Sequence, residues 1–186
     1  MSTTVTTSTA IPSATWTIDP AHSKVGFAVK HMGIATVRGE FTDFEGTLEI
    51  GEDLSNARAY GTVKVESVDT NEPQRDAHLR SPDFFDADQY PELRFESTSI
   101  EALDEDSYRI TGRLTIHGIT NEIVLHAEAQ GTDTDPWGNE RLGLEVIGQL
   151  SRGDYGMTFN QALGSGNMLV ADKVKLVLDI SAVKQS

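Results

Sequence analysis

The 186-residue chain has no cysteine, which excludes disulfides, thiolate metal sites and a cysteine nucleophile. Positive charge is scarce: 15 Lys and Arg stand against 29 Asp and Glu, a net charge of −14. That balance argues against nucleic acid and against electrostatic binding to anionic membranes, and it favours solubility. No apolar run approaches the roughly 20 residues that a membrane-crossing helix needs. The first residues, MSTTVTTSTAIPSAT, have neither a basic start nor an apolar core, so they do not read as a secretory signal. Their Ser/Thr content reads as a flexible tail over 1–14, and the chain is expected to be cytoplasmic. Apolar residues make up 38%, low for a solid core yet far above a disordered composition. A structure that is mostly shell fits that figure, as one domain over 15–186.

What is present is period-two alternation. Val25, Phe27, Val29 and His31 fall on one strand face, with Gly26, Ala28 and Lys30 on the other. Short of that strand lie a first strand at 15–18 and a turn at Asp19-Pro20. A long run over 36–50 carries Gly39 and Gly46, where it is expected to bulge or bend. Further strands are expected at about 57–68, 92–100, 107–117, 121–130, 141–151 and 173–183, with irregular chain over 153–170. Between the strands, residues 73–90 read as helix. Pro73 suits a first turn, Pro82 ends a first helix at Ser81, and Ser81 can cap a second. About eight one-faced strands point to an all-β, closed antiparallel barrel with this short helical cap. Inward Gly61, Gly112, Gly148, Ala127 and Ala129 suggest room inside. A two-sheet sandwich is the competing architecture.

Reactive constellations are weak. The five histidines, His22, His31, His78, His117 and His126, show no zincin spacing, and no nucleophile elbow occurs. His117, in the turn IHGIT, reads as a hydrogen-bonding turn residue. The more informative pattern sets cations beside apolar residues: Arg38 near Phe27, Val29 and His31, then Arg75, His78 and Arg80 beside Phe84 and Phe85. Arginines so placed can bind an anionic head group through paired N–H donors, or they can pair with Asp76, Asp83 and Asp86 on the same segment.

The stretches WTIDPAHSKVGFAVKHMGIATVRGEFTDFEGTLE, DTNEPQRDAHLRSPDFFDADQYPELRFESTSI, YRITGRLTIHGIT, DPWGNERLGLEVIGQLSRGDYGMTFN and VKLVLDISAV resemble the YceI-like family, from about Trp16 to Val183. The resemblance implies an extended lipocalin-like barrel whose tunnel holds a polyisoprenoid, quinone or other long-chain amphiphilic lipid, without a further cofactor, and a homodimer. Family members are often periplasmic, a location this chain's first residues do not carry over. Family motif positions fall on His22, Phe27, His31, Arg38, Arg75, His78, Arg80, Phe84, Phe85, Trp137, Tyr155 and Phe159. With Val29 added by alternation, all but Trp137 are expected at the ligand; Trp137 is assigned to hairpin packing. The alternatives are an enzyme acting on such a lipid through His31 or His78, and a filled barrel that binds nothing.

Overall fold

In the computed structural model, residues 11–165 and 168–185 are described. The strands among them are β1 (Ala14–Ile18), β2 (Lys24–His31), β3 (Ala35–Phe41), β4 (Phe44–Ile50), β5 (Arg58–Lys64), β6 (Val68–Asp69), β7 (Glu92–Ala102), β8 (Ser107–Ile116), β9 (Ile119–Thr134), β10 (Glu140–Ser151) and β11 (Val170–Lys184), with one helix, α1 (Pro73–Arg80). Neighbours run antiparallel around a ring, β1-β4-β5-β7-β8-β9-β10-β11, and β1 pairs back onto β11. The ring is a closed eight-stranded barrel, so the sandwich is excluded. Beside β1, the first half of β11 pairs with β2, which continues to β3 and β6. Three of the barrel's walls are therefore strands in two parts, β1 with β2, β3 with β4, and β5 with β6.

The breaks have local causes. Between β1 and β2, Asp19 caps a turn of 3-10 helix at Pro20–His22, accepting from Ala21 N. The 36–50 run breaks at Thr42-Asp43, between Phe41 and Phe44, and not at its glycines. There the chain leaves one pair of neighbours for another, held by Thr42 N donating to Ser67 O and Lys64 N to Asp43 O. Only the beginning of the helical segment is helix. Glu72 caps α1 by accepting from Arg75 N, and Pro73 opens it. Residues 82–90 form linked turns instead of a second helix, with Asp86 in the left-handed region at φ 51°. The flexible tail expected over 1–14 is not what residues 11–14 form, since they are ordered against the barrel. Residues 1–10 lie outside the described residues, but Ile11 is buried in the core, and Trp16 Nε1 donates to Pro12 O. Within 153–170, residues 166 and 167 also lie outside the described residues; the remainder has a 3-10 turn at Arg152–Tyr155 and is otherwise irregular.

The buried apolar side chains gather in two clusters. The larger lies around Trp16, Tyr108 and Leu142, and the smaller around Ile116, Leu150, Tyr155 and Met157 near α1. The inward glycines are not themselves vacancies. A Cβ at Gly112 would meet the Phe95 ring at 2.5 Å, and one at Gly148 would meet Leu125 at 2.4 Å. Their absent side chains let larger neighbours lie flat along the wall. At Gly61 the obstacle is backbone: Glu45 O would stand 2.5 Å from a Cβ, and Gly46 Cα 3.1 Å. Gly61→Ala is therefore expected to cost about 2 kcal/mol by overpacking, read as a shift in urea midpoint. Gly164→Ala, with nothing within 4 Å, should stay within about 0.5 kcal/mol of wild type. Equal midpoints for the two variants would contradict the close approach of β4 and β5.

Candidate functional site

Between the two clusters the barrel is vacant. Its lumen is a cavity of about 230 Å³, on the order of 8 waters at roughly 30 Å³ each. Inward side chains of nearly every wall strand line it, among them Val25, Phe27, Phe41, Phe95, Leu114 and Leu176. Several of these, including Phe27, Phe95 and Leu176, are only half-buried, because the surface they leave open faces the vacancy. The lining is almost wholly apolar. Charged residues of the same strands pair on the outside, as Arg58 does with Glu49 and Glu96. A vacant apolar space cannot hydrogen-bond or neutralise a polar head, but it can accept a hydrocarbon tail. The filled-barrel alternative fails on this vacancy.

The sequence-predicted residues divide into three groups. Phe27 lines the lumen, and its ring leads through Phe41 (5.6 Å between centroids) to Phe85 (5.8 Å from Phe41), so Phe85 reaches from the cap segment to the lumen wall. Val29 and His31 continue the inward face of β2 towards the capped end, paired with Val37 and Ala35 on β3 and with Val174 and Val170 on β11. A second group gathers outside the lumen. His78 Nε2 lies 2.8 Å from Asp83 Oδ2, and its ring packs edge-on against Phe84 (5.0 Å) and Phe159 (4.9 Å). Tyr155 is buried in the smaller cluster, and burial pushes its hydroxyl up.

The third group is not directed at the lumen. Arg38 sits opposite Ala28 on β2 and is exposed, because strand alternation turns it to the outer face when Val37 and Gly39 turn in. Arg75 donates through Nε to Thr70 Oγ1 and through Nη2 to Thr70 O, both at 2.7 Å. Arg80 donates to Glu66 O (3.0 Å) and Val68 O (3.2 Å). Neither forms the expected pair with an Asp of the cap, and Asp76 instead accepts from Thr70 N at 2.8 Å. His22 is exposed beside Asp19, and Trp137 is 78% exposed at the β9–β10 turn, so it does not pack in its hairpin. His117 is the turn residue expected, at φ 55°, with Nδ1 3.1 Å from Tyr155 O.

Sequence reasoning missed Arg152. It is buried, and its guanidinium donates to four carbonyls, those of Ala171, Met157, Phe159 and Val170, at 2.8–3.1 Å. Removal from water pulls its pKa down. No local pattern marks such an arginine, since its partners are backbone oxygens of the loop that follows it and of the start of β11. Phe41, Phe95, Leu114 and Leu176 were also missed as lumen lining, although their strand parity carried the signal.

A closed antiparallel barrel around an apolar vacancy defines a protein that takes a ligand inside itself. Comparison with known proteins identifies which kind. A YceI-like domain matches residues 16–182, and the chain belongs to the YceI-like family. Protein YceI of Salmonella arizonae is 35% identical over 165 residues, 88% of this chain and 83% of that one. Among solved structures, BcnA of Burkholderia cenocepacia superposes with a TM-score of 0.77 at 21% identity, over 88% of this chain and 98% of its own. A polyisoprenoid binding domain from Saccharophagus degradans gives 0.67 at 13% identity, over 94% and 100%.

Asp19 joins this wall at the break between β1 and β2. It accepts from Arg141 Nη1 at 2.9 Å and lies 2.8 Å from His22 Nδ1. Arg141 first, then His22, hold its carboxyl down from 3.8 to about 2. A carboxyl depressed by folding stabilises the fold fully above its ordinary value, and that contribution is lost as pH falls from 3.8 towards about 2. After solvent screening its share is on the order of 1 kcal/mol. Asp19→Asn is expected to lower neutral-pH stability by about that amount and to flatten part of the acid loss in denaturant titrations. A stability–pH curve parallel to that of wild type would contradict the assignment.

Proposed function

We propose that the protein binds a long-chain amphiphile, a polyisoprenoid, quinone or similar lipid, with its tail in the lumen, and stores or carries it. The observation that carries this reading is the apolar vacancy of about 230 Å³. Membership of the YceI-like family and the fold shared with a polyisoprenoid binding domain support it. The charged residues that border the lumen among those described, Glu45 and Arg94, are engaged with Thr62 and Glu92, so the head group stays at an end of the barrel.

Magnitudes limit the affinity. If a methylene takes about the space of one water, the lumen holds on the order of 8 carbons. At a net yield of roughly 0.3 kcal/mol per heavy atom, that gives ~2–3 kcal/mol, or a dissociation constant on the order of 10 mM for the enclosed tail alone. Physiological tightness would then come from a longer chain or from contacts of the head outside. An enzymatic reading gains no support from the two histidines: His78 packs outside the lumen against Asp83, Phe84 and Phe159, and His31 lies beyond the lining residues.

The test is a homologous series of fluorescent prenyl or alkyl amphiphiles titrated against the purified protein. Affinity is expected to climb with chain length and to climb less steeply beyond roughly 8 carbons, where the lumen fills. Leu144→Trp, which puts a ring into the lumen, should lower affinity for the longer chains by about tenfold or more. An affinity independent of chain length would overturn the reading.

A further inference from the structure

We propose that the β2–β3 hairpin tip, with the outer strand face behind it, docks the protein on an anionic lipid bilayer. The inference rests on reading the lumen as a lipid site and adds where the lipid is exchanged. Apart from Ile119, 39% exposed at the β8–β9 turn, three large apolar side chains face solvent at the capped end of the barrel: Ile34 at 78%, Met168 at 49% and Met32 at 39% exposed. They are neighbours, since Met32 N donates to Leu169 O across from the tip. Elsewhere on this end apolar rings are turned inward, as Phe84 and Phe85 are.

The turn itself is chemically unusual. Ile34 N closes onto His31 O, and both central residues, Met32 (φ 57°) and Gly33 (φ 73°), have positive φ. Turns of this kind favour Asn, Asp or Gly at the first of those positions. The β8–β9 turn, with His117 and Gly118 in the same left-handed geometry, has a polar residue there whose ring is hydrogen-bonded and half-buried. Met32 brings an apolar side chain to a position that local backbone chemistry disfavours, and it places that side chain outside.

Directly behind the tip, the outer face is basic in a chain of net charge −14. Lys175 on β11, Ala28 on β2 and Arg38 on β3 form one cross-strand row. Lys30 lies one step nearer the tip, donating to Thr36 Oγ1, and Lys173 one step along β11. Of the acids on this face, Asp172 holds Ser151 Oγ and Gly153 N, Glu40 pairs with Lys24, Asp69 accepts from Asn71 N, and Asp179 lies two outward positions beyond Lys175, away from the tip. An apolar point backed by cations fits the boundary between acyl chains and anionic head groups. The net acidity of the molecule opposes other approaches, so contact is favoured with this face forward.

The tip is also joined to the lumen by apolar wall. From Phe27, which lines the cavity, the inward face of β2 runs through Val29, flanked by Val37 and Val174, to His31 at the turn. Five residues of strand, about 16 Å, separate Phe27 from Met32. A tail leaving a bilayer at the tip would meet hydrocarbon along that distance.

Flotation with phosphatidylcholine vesicles, with and without phosphatidylglycerol, tests the proposal. Wild type is expected to float with the anionic vesicles, less so at high salt, and to leave the neutral ones. Met32→Asn with Ile34→Asn should lower vesicle partition at least about tenfold without lowering the melting temperature, because Asn suits the turn. Arg38→Gln with Lys175→Gln should remove the preference for anionic vesicles. Binding of a soluble fluorescent prenyl amphiphile, measured in parallel, should be unchanged in all these variants. Vesicle binding that survives the tip substitutions overturns the proposal, as does its absence in wild type, including the case where the tip variant instead dissociates a dimer. Amphiphile binding without vesicle binding sinks the docking surface and leaves the lumen reading intact; vesicle binding without amphiphile binding does the reverse.

Discussion

The barrel closes because one long strand serves two partners along a single edge. β11 pairs with β10 along one side; on the other, its first half pairs with β2 and its last residues with β1. That double use forces β1 and β2 to be successive parts of one wall, separated by the Asp19–Ser23 turn, and the next two walls break in step with it. With a closed ring, the ladder itself satisfies the backbone of the wall strands. The interior then need not be filled for the wall to hold. A vacancy of about 230 Å³ still leaves dispersion contacts unmade, worth on the order of 5 kcal/mol by the cost of engineered cavities. A tail that fills it recovers roughly half of that as net binding energy, the rest offsetting the cost of ordering the ligand.

The irregular segments at the capped end have the opposite problem, since they have carbonyls and no ladder. Arginine solves it. Arg75 and Arg80 hold the chain between β5 and α1 through Thr70, Glu66 and Val68, and Arg152 ties the loop at Met157 and Phe159 to the start of β11 at Val170 and Ala171. Each guanidinium offers five N–H donors in a fixed fork, enough to replace several backbone partners at once. These three side chains are engaged in supporting the end of the barrel. Among the surface cations, Arg58, Lys64, Arg94 and Arg109 pair with glutamates on the strands of the opposite wall, whereas Lys30, Arg38, Lys173 and Lys175 gather on the outer face of β2, β3 and β11.

Much of the architecture was legible in the sequence because alternation is a direct record of which face is wet. The strands, the turn at Asp19-Pro20, the helix start at Pro73 and the turn role of His117 follow from residue type and period. The arginines were not legible. Whether Arg80 meets Asp76 or the carbonyl of Glu66 depends on which chain passes beside α1, and no local pattern records that. Arg38 was misplaced by proximity in sequence to inward residues, although counting from Val37 would have turned it outward. The inward glycines were read as empty space, whereas Phe95 and Leu125 lie over Gly112 and Gly148. The vacancy exists further in, where flattened side chains stop short of one another.

The central claim is that a hydrocarbon tail occupies the space between the Trp16 cluster and the Tyr155 cluster. A crystal structure of the protein saturated with a long-chain prenyl amphiphile measures it most directly. The account predicts continuous density threading the lumen past Leu114 and Leu176, with the head outside the apolar lining. Density confined to the outer surface, or a lumen closed up by its own Phe27, Phe41 and Phe95, would contradict it.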